Sequence, residues 1–480
     1  MSNDIIYSAY EAVIGLEVHA ELKTRTKIFC SCKTDFGALP NTQCCPVCAG
    51  LPGALPVLNE KVIDLAVLAG LALNCQINGY CVHDRKNYFY PDLPKAYQIS
   101  QLDLPIAENG YIGIDTDEGE KRIGIERIHI EEDAGKLIHS EGATLIDLNR
   151  CGVPLIEIVS KPHMRTAGEA AAYLEKLRSI LLFTGVSDCK MNEGSLRCDV
   201  NVSVRKKGEK NFGIRTEIKN INSVSYTAKA IDYEIRRQID LIENGLSVER
   251  ETRRYDEKKG ITTLMRKKES AEDYRYFTDP DLPPFSISEE RISRVRSSMP
   301  VPPDGRAKAF TGRFGLSEND AKRLTSSPEA ADYFESAAAM TDYPKILASL
   351  MLCELPVITA NEEQALSIPH GNIAELCNLQ GNGKINSSVS KAVLREMLET
   401  GKDPHTIVKE KELMQIDDPD IILSAIEKVF AENQKAISDY KNGKTAAAKS
   451  LVGRVMGATG GRANPATVAR LVEDELKKIN

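Results

Sequence analysis

No stretch of about 18 apolar residues occurs in the chain, which excludes an ordinary membrane-spanning helix. The first residues, Met1-Ser-Asn-Asp-Ile-Ile-Tyr7, lack a basic region followed by an apolar core. No secretory signal is expected, and the cytoplasm is the expected compartment. The common nucleotide-binding signatures are also missing. Asn442-Gly-Lys-Thr445 lacks the upstream glycine of a P-loop, because position 438 is serine, and no Gly-x-Gly-x-x-Gly follows a strand. A nucleotide bound here must sit on a sheet by another scheme. Net positive charge is lacking too. The 62 Lys and Arg stand against 69 Asp and Glu, a formal charge of −7, which disfavours nucleic-acid binding by the chain as a whole but leaves room for local basic patches. Neither an internal repeat nor a low-complexity tract is present.

What is there fits a large multidomain protein. A chain of 480 residues exceeds one ordinary core and predicts two to four domains. Ser195-Leu-Arg-Cys-Asp-Val-Asn-Val-Ser-Val-Arg205 alternates strictly, so Arg197, Asp199, Asn201, Ser203 and Arg205 share one face and five apolar residues share the other. Similar runs at 13–22, 123–132 and 213–219 also predict strands. A helix is expected over 167–184, capped by Thr166 with Glu169 three residues on and stopped by Gly185. Another is expected from Ser225 to Gly245. Strands and helices do not alternate regularly, which predicts α+β with an antiparallel sheet. Six prolines between Phe277 and Arg306 mark a boundary, after which the sequence reads as helical. A polar stretch around Gly401–Asp420 reads as a second linker. The expected division is 1–293, 294–407 and 408–480.

Five of the twelve cysteines crowd between Cys30 and Cys48. Cys45-Pro-x-Cys48-x-Gly has the shape of a metal knuckle. Joined by Cys30-x-Cys32, it offers four thiolates, the donor set that suits a structural Zn²⁺ with no open position. Cys44 is the spare. Acids also recur on polar strand faces. Glu17, His19 and Glu21 alternate with Leu16, Val18 and Ala20, and Arg215, Glu217 and Lys219 share a face. Glu131-Glu132-Asp133 closes a strand, and Glu157 interrupts an apolar run, which is costly unless it is paired or binds a cation. Each acid alone reads as a surface charge, but together they suit a hard divalent ion. Arg85, Lys86 and Lys95 are available for phosphates.

Long motifs add a resemblance. Asp84–Gln101, Glu131-Glu-Asp-Ala-Gly-Lys136, Asp147–Ser160, Glu193-Gly-Ser-Leu-Arg-Cys-Asp199 and Asp273-Tyr-Arg-Tyr-Phe277 closely resemble the B subunit of glutamyl/aspartyl-tRNA amidotransferases, over essentially the whole chain. The resemblance implies a glutamine synthetase-like cradle, an all-α helical domain and a small helical tail. It implies a ligase that forms carbon–nitrogen bonds with glutamine as amido donor, in a heterotrimer with an amidase-type A subunit and a small C subunit. ATP would phosphorylate the side-chain carboxylate of misacylated Glu-tRNA(Gln) or Asp-tRNA(Asn), and ammonia would displace the phosphate. Carried onto matching positions, it implies Glu17, His19, Glu132, Glu157, Asp199 and Glu217 as metal and phosphate residues. The Mg²⁺ ligands within that set are His19, Glu132, Glu157 and Asp199. Lys86 and Lys95 would serve as cations for the nucleotide. Over 432–480, nine Lys or Arg face five Asp or Glu. Lys441, Lys444, Lys449 and Arg454, with Arg462 in a glycine-rich loop, are the expected tRNA contacts. The competing readings are a non-catalytic zinc-containing RNA-binding scaffold and a stand-alone small-molecule ligase. Carboxylates on the strand faces oppose the first, and the long helical C-terminal half opposes the second.

Overall fold

The computed structural model describes residues 3–267, 274–416, 418–441 and 446–479. The chain divides into two compact units, Met1–Pro302 and Pro303–Asn480. The first is built on a nine-stranded sheet. From one edge to the other run β14 (Ile261–Lys267), β13 (Glu251–Asp256), β12 (Thr216–Ile221), β11 (Leu196–Lys206), β1 (Tyr10–Glu21), β10 (Pro154–Ser160), β7 (Gly119–Glu132), β6 (Ala107–Thr116) and β2 (Gln76–Ile77). Smaller sheets join β15 (Phe277–Thr278), β4 (Asp84–Asn87) and β5 (Tyr97–Ser100), then β16 (Phe285–Ser286) with β3 (Tyr80–Cys81), and β8 (Lys136–Ser140) with β9 (Ala143–Asp147).

The expected antiparallel sheet is mixed at one place. β12 and β13 run parallel, with Glu217 opposite Thr252. Parallel neighbours need a long crossover, and the helix Val224–Glu243 between them provides it. The expected helices form close to their marked ends. Thr166 Oγ1 accepts from Glu169 N at 3.1 Å, and Gly185 takes a φ of +67° just past the helix Ala167–Phe183. Ser223 caps the second helix, one turn of sequence before Thr227.

Period two explains why the sheet has two unlike faces. Leu16, Val18 and Ala20 of β1 and Val200 and Val202 of β11 are buried in one core with Tyr173, Leu174, Leu177 and Leu181 of the helix Ala167–Phe183. Their polar neighbours are thereby turned to the opposite face.

The second unit is helical. The helices Pro303–Phe314, Pro328–Ala338, His370–Gly381 and Ser387–Thr400 are its longer early members. The expected linker around 401–420 contains a further helix, Pro404–Glu410, whose first-turn proline follows the capping Asp403. The boundary expected at 407/408 falls inside this helix. Four more helices follow, Pro419–Glu432, Gln434–Lys441, Ala446–Ala458 and Pro465–Ile479, around a core of Ile422, Ile426, Phe430, Leu451, Val455, Val468 and Leu476. Among the described residues, no helix is long and apolar enough to cross a membrane.

Candidate active site and cysteine knuckle

Register places one polar row across three strands. His19 of β1 lies opposite Glu157 of β10, and Glu157 lies opposite His129 of β7. Residues opposite one another in a sheet project to the same side, so the three side chains meet. His19 Nε2 stands 3.3 Å from Glu157 Oε2 and 3.8 Å from Glu131 Oε2. His129 Nε2 stands 3.2 Å from Glu131 Oε1 and 3.2 Å from Glu157 Oε2. The β4–β5 hairpin adds donors: Ser100 Oγ donates to Glu131 Oε1 at 2.8 Å, and Gln98 Nε2 to Glu131 Oε2 at 3.2 Å. Lys86, opposite Gln98 in that hairpin, stands with its ammonium 5.3 Å from the Tyr274 ring centre.

The electrostatics follow from two buried carboxylates among few cations. Burial opposes ionisation of Glu131, yet Lys86 and His129 hold its pKa down to about 2. Burial works against Glu157 as well, and His129 and His19 keep it ionised far below the usual carboxylate range. In return, burial disfavours the imidazolium of His129, but Glu157 and Glu131 lift its pKa to about 9. Lys86 is likewise disfavoured by burial and raised by Glu131, Tyr276 and Glu157. A raised histidine pKa stabilises the fold fully below its unfolded value, near 6.5, and the contribution is lost as pH rises through about 9. The metal-free chain is therefore expected to lose thermal stability between pH 6.5 and 9. A melting series across that range measures it, and His129→Gln should flatten the decline. A series as steep in that variant would mean that other groups set it.

Beside this group lies a second. Asn201 Nδ2 donates to Glu17 Oε1 at 2.7 Å, Lys219 pairs with Asp199 and lies 3.4 Å from Glu217 Oε1, and Thr252 Oγ1 donates to Glu217 Oε2 at 3.0 Å. Burial, then Glu157 and Glu217, raise the pKa of Glu17. Further along β1, Glu21 is pushed up to about 8 by burial and Asp133, against the pull of Arg197 and Arg150. The face of β1 thus carries a stripe of acids, each with its own neighbours.

The structure does not bring all the residues expected from sequence together. Glu132 points to the opposite side of β7 from Glu131, as alternation requires. Its Oε1 accepts from Ile99 N at 2.9 Å and pairs with Lys95. Lys95 is thereby engaged away from the carboxylate–histidine group. Glu131, not Glu132, meets His19 and Glu157: ligand atoms of these three lie within 4.8 Å of one another. Arg215 is exposed and precedes β12. His129, Asn201 and Lys219 join the site without having been expected there as metal or phosphate residues. For His129 a signal existed: it lies two residues before Glu131 and shares its face. One imidazole and two carboxylates, all buried or partly buried, fit a hard divalent cation that prefers oxygen ligands.

The cysteines converge as their spacing predicts. The sulfurs of Cys30, Cys32, Cys45 and Cys48 lie within 4.8 Å of one another, which fits Zn²⁺. Cys44 stands outside, its Sγ directed at Asn41 O at 3.8 Å. Cys45 N donates to Cys48 Sγ at 3.1 Å, and the buried Lys27 Nζ donates to it at 3.6 Å. With Cys30 donating to it as well, the Cys48 thiol is pulled down to about 4. Gly50 turns the knuckle at φ +67°. A Cβ there would sit 2.7 Å from Lys95 Cγ and 3.2 Å from Lys95 N, so knuckle and lysine fit only with glycine between them. Knuckle, Lys95 and Glu132 line one cavity of about 130 Å³.

In the C-terminal helices, Lys449 and Arg454 are exposed. Arg462 is engaged, donating from Nη1 to Glu412 O at 2.7 Å. Lys444 lies outside the described residues, as does the Lys441 side chain.

The sequence has counterparts in known proteins. The GatB/GatE catalytic domain matches residues 12–293, and the GatB domain matches residues 332–476. The chain is 54% identical to the B subunit of the aspartyl/glutamyl-tRNA(Asn/Gln) amidotransferase of Caldicellulosiruptor saccharolyticus, over 98% of this chain and 100% of that one. It is 53% identical to the protein of the same name from Carboxydothermus hydrogenoformans, over 98% and 99%. With that of Clostridium tetani the identity is 49%, over 98% and 99%.

Proposed function

The chain belongs to the GatB/GatE family, as the B subunit of an amidotransferase, and from that membership we propose that it performs the ATP-dependent half of tRNA amidation. It is part of a tRNA-dependent amidotransferase, a ligase that takes its amido nitrogen from glutamine. In the reaction we assign to it, a side-chain carboxylate oxygen of Glu-tRNA(Gln) or Asp-tRNA(Asn) attacks the γ-phosphorus of ATP, and ADP leaves. Ammonia then attacks the acyl carbon. The amide forms, and phosphate departs with the former carboxylate oxygen. An unmodified carboxylate cannot do this, because its leaving group would be oxide.

The observation that carries the reading is the row His19–Glu157–His129 with Glu131 beside it, on the polar face of a large sheet. His19, Glu131 and Glu157 would hold Mg²⁺, with Glu17, Asp199 and Glu217 as neighbouring acids. Bound there, Mg²⁺ supplies neutralisation of the charge on the transferring phosphoryl group. Lys86 contributes a fixed positive charge at the same place. The β4–β5 hairpin packs on Glu131 through Ser100 and Gln98, and exclusion of water there would protect the acyl phosphate from hydrolysis. We further infer a glutamine synthetase-like cradle for the first unit, ammonia supplied by an amidase-type A subunit, a small C subunit, and a cytoplasmic place of work. ATP hydrolysis by the complete complex, with and without misacylated tRNA, tests the reading. Strong stimulation by the charged tRNA supports it, and identical rates oppose it.

The knuckle is assigned Zn²⁺ as a structural ion. Elemental analysis should find about one zinc per chain. Cys45→Ser should remove it and Cys44→Ser should leave it. Equal loss in both variants would reverse the ligand assignment.

Residues 408–480 are assigned the tRNA contact. Because Arg462 braces Glu412 and Ile416 pairs with Ala463, exposed charges are a cleaner test than deletion. Lys449→Glu with Arg454→Glu should weaken tRNA binding by roughly tenfold and lower the salt slope by about one per contact removed. Unchanged affinity at every salt concentration would place recognition elsewhere.

A further inference from the structure

We propose that His129 is a positioning residue of the metal–phosphate site: its Nε2–H bridges Glu131 Oε1 and Glu157 Oε2 and so fixes how the two carboxylates are oriented toward His19 and a divalent cation. The proposal rests on the reading of that site given above. His129 is 3% exposed, and its flanking residues Ile128 and Ile130 are buried in the core of the sheet. Its ring therefore can turn only toward the polar face. There Nε2 meets two carboxylates at once, each at 3.2 Å. Nδ1 has no hydrogen-bond partner among the described residues. A buried histidine with a purely structural role usually satisfies both nitrogens. Here one nitrogen is left alone and the other is placed between two acids.

Two further observations separate this role from direct ligation. The atoms that converge as a candidate ligand set belong to His19, Glu131 and Glu157, and His129 is not among them. Ser100 Oγ also donates to Glu131 Oε1, the oxygen that His129 reaches, while Glu131 Oε2 lies toward His19. His129 and Ser100 thus hold Oε1 of Glu131 from behind, while Oε2, which also accepts from Gln98 Nε2 at 3.2 Å, lies on the side of His19. Two buried carboxylates this close repel and would otherwise swing apart. A donor shared between them removes that freedom, as outer partners of metal ligands commonly do, and losing such a partner costs about 10–100-fold in metal affinity.

The test uses the complete complex with Mn²⁺ as probe. His129→Leu removes the donor at similar bulk, and His129→Gln can restore a donor close to the Nε2 position. Mn²⁺ binding is read by electron paramagnetic resonance without ATP or tRNA, and amidation is read as a function of Mg²⁺. His129→Leu should bind Mn²⁺ about 10–100-fold more weakly and need correspondingly more Mg²⁺. Its turnover should recover in large part at saturating Mg²⁺, and His129→Gln should lie close to the wild type in both. Wild-type Mn²⁺ affinity in His129→Leu would overturn the proposal while leaving the site assignment standing. So would a turnover defect that no Mg²⁺ concentration relieves. Loss of a nitrogen coupling to Mn²⁺ in His129→Gln would make His129 a ligand and also overturn it. A wild-type complex that amidates yet binds no Mn²⁺ would sink the site assignment itself, and this proposal with it.

Discussion

Glutamine in place of Glu157 or Glu131 is expected to reduce tRNA amidation by about a hundredfold or more. Glutamine keeps the shape and removes the charge. Each carboxylate is one of only two acids in the His19–Glu131–Glu157 group, so a divalent cation would lose half of its anionic donors. Glutamine hydrolysis should stay measurable, because the proposed reading assigns that chemistry to an amidase-type partner subunit. Asp199→Ala, in the adjacent group, should act in the same direction. Parallel assays of glutaminase and of amidation at saturating ATP give the answer. Normal amidation by both Glu157→Gln and Glu131→Gln would remove the group from the reaction. Glu132→Gln provides a contrast, since its effect should run through Lys95, to which it is paired.

Lys86→Met carries the second large effect. Burial disfavours the Lys86 charge, yet Glu131, Tyr276 and Glu157 hold it firmly. A fixed cation beside the carboxylates would stabilise the developing phosphoryl charge as a preorganised oxyanion donor does, and removing one such donor costs about 2.7–4 kcal/mol. Amidation by Lys86→Met should fall by about a hundredfold, and the ATP concentration needed for half-maximal rate should rise. Lys95→Met should not alter ATP binding in this way, because Lys95 is engaged with Glu132 on the other side of β7. Equal ATP dependence in wild type and Lys86→Met would show that Lys86 does not handle the nucleotide.

Much of this site was legible because a strand has a period of two. The alternation of Glu17, His19 and Glu21 with Leu16, Val18 and Ala20 requires nothing beyond β1 itself, and β11 reads the same way. Parity also decides between Glu131 and Glu132, but only relative to a known neighbour. His129 supplies that reference, lying two residues before Glu131 and one strand over from Glu157. Without the register of β7 against β10, the residues alone did not separate the two acids, and the resemblance pointed to Glu132. The pairing of Lys95 with Glu132 was not legible at all, since it joins residues 37 apart through the fold. The cysteine knuckle was legible because its four thiols come from two pairs, each close in sequence, and their sulfurs meet within 4.8 Å. The parallel β12–β13 pair was not, because a crossover helix reads the same whichever way the next strand runs. The helix Pro404–Glu410 was missed for a simpler reason: it is short and lies in a polar stretch that reads as a linker.

Carboxylate activation by this chain is the central claim, and an oxygen label tests it most directly. The complete complex would be given misacylated tRNA whose side-chain carboxylate carries ¹⁸O, with unlabelled ATP and glutamine. If the carboxylate oxygen attacks the γ-phosphorus, the phosphate released on amidation must carry one labelled oxygen, matched one for one with amide formed. Unlabelled phosphate, or label found in AMP instead, would contradict an acyl-phosphate route.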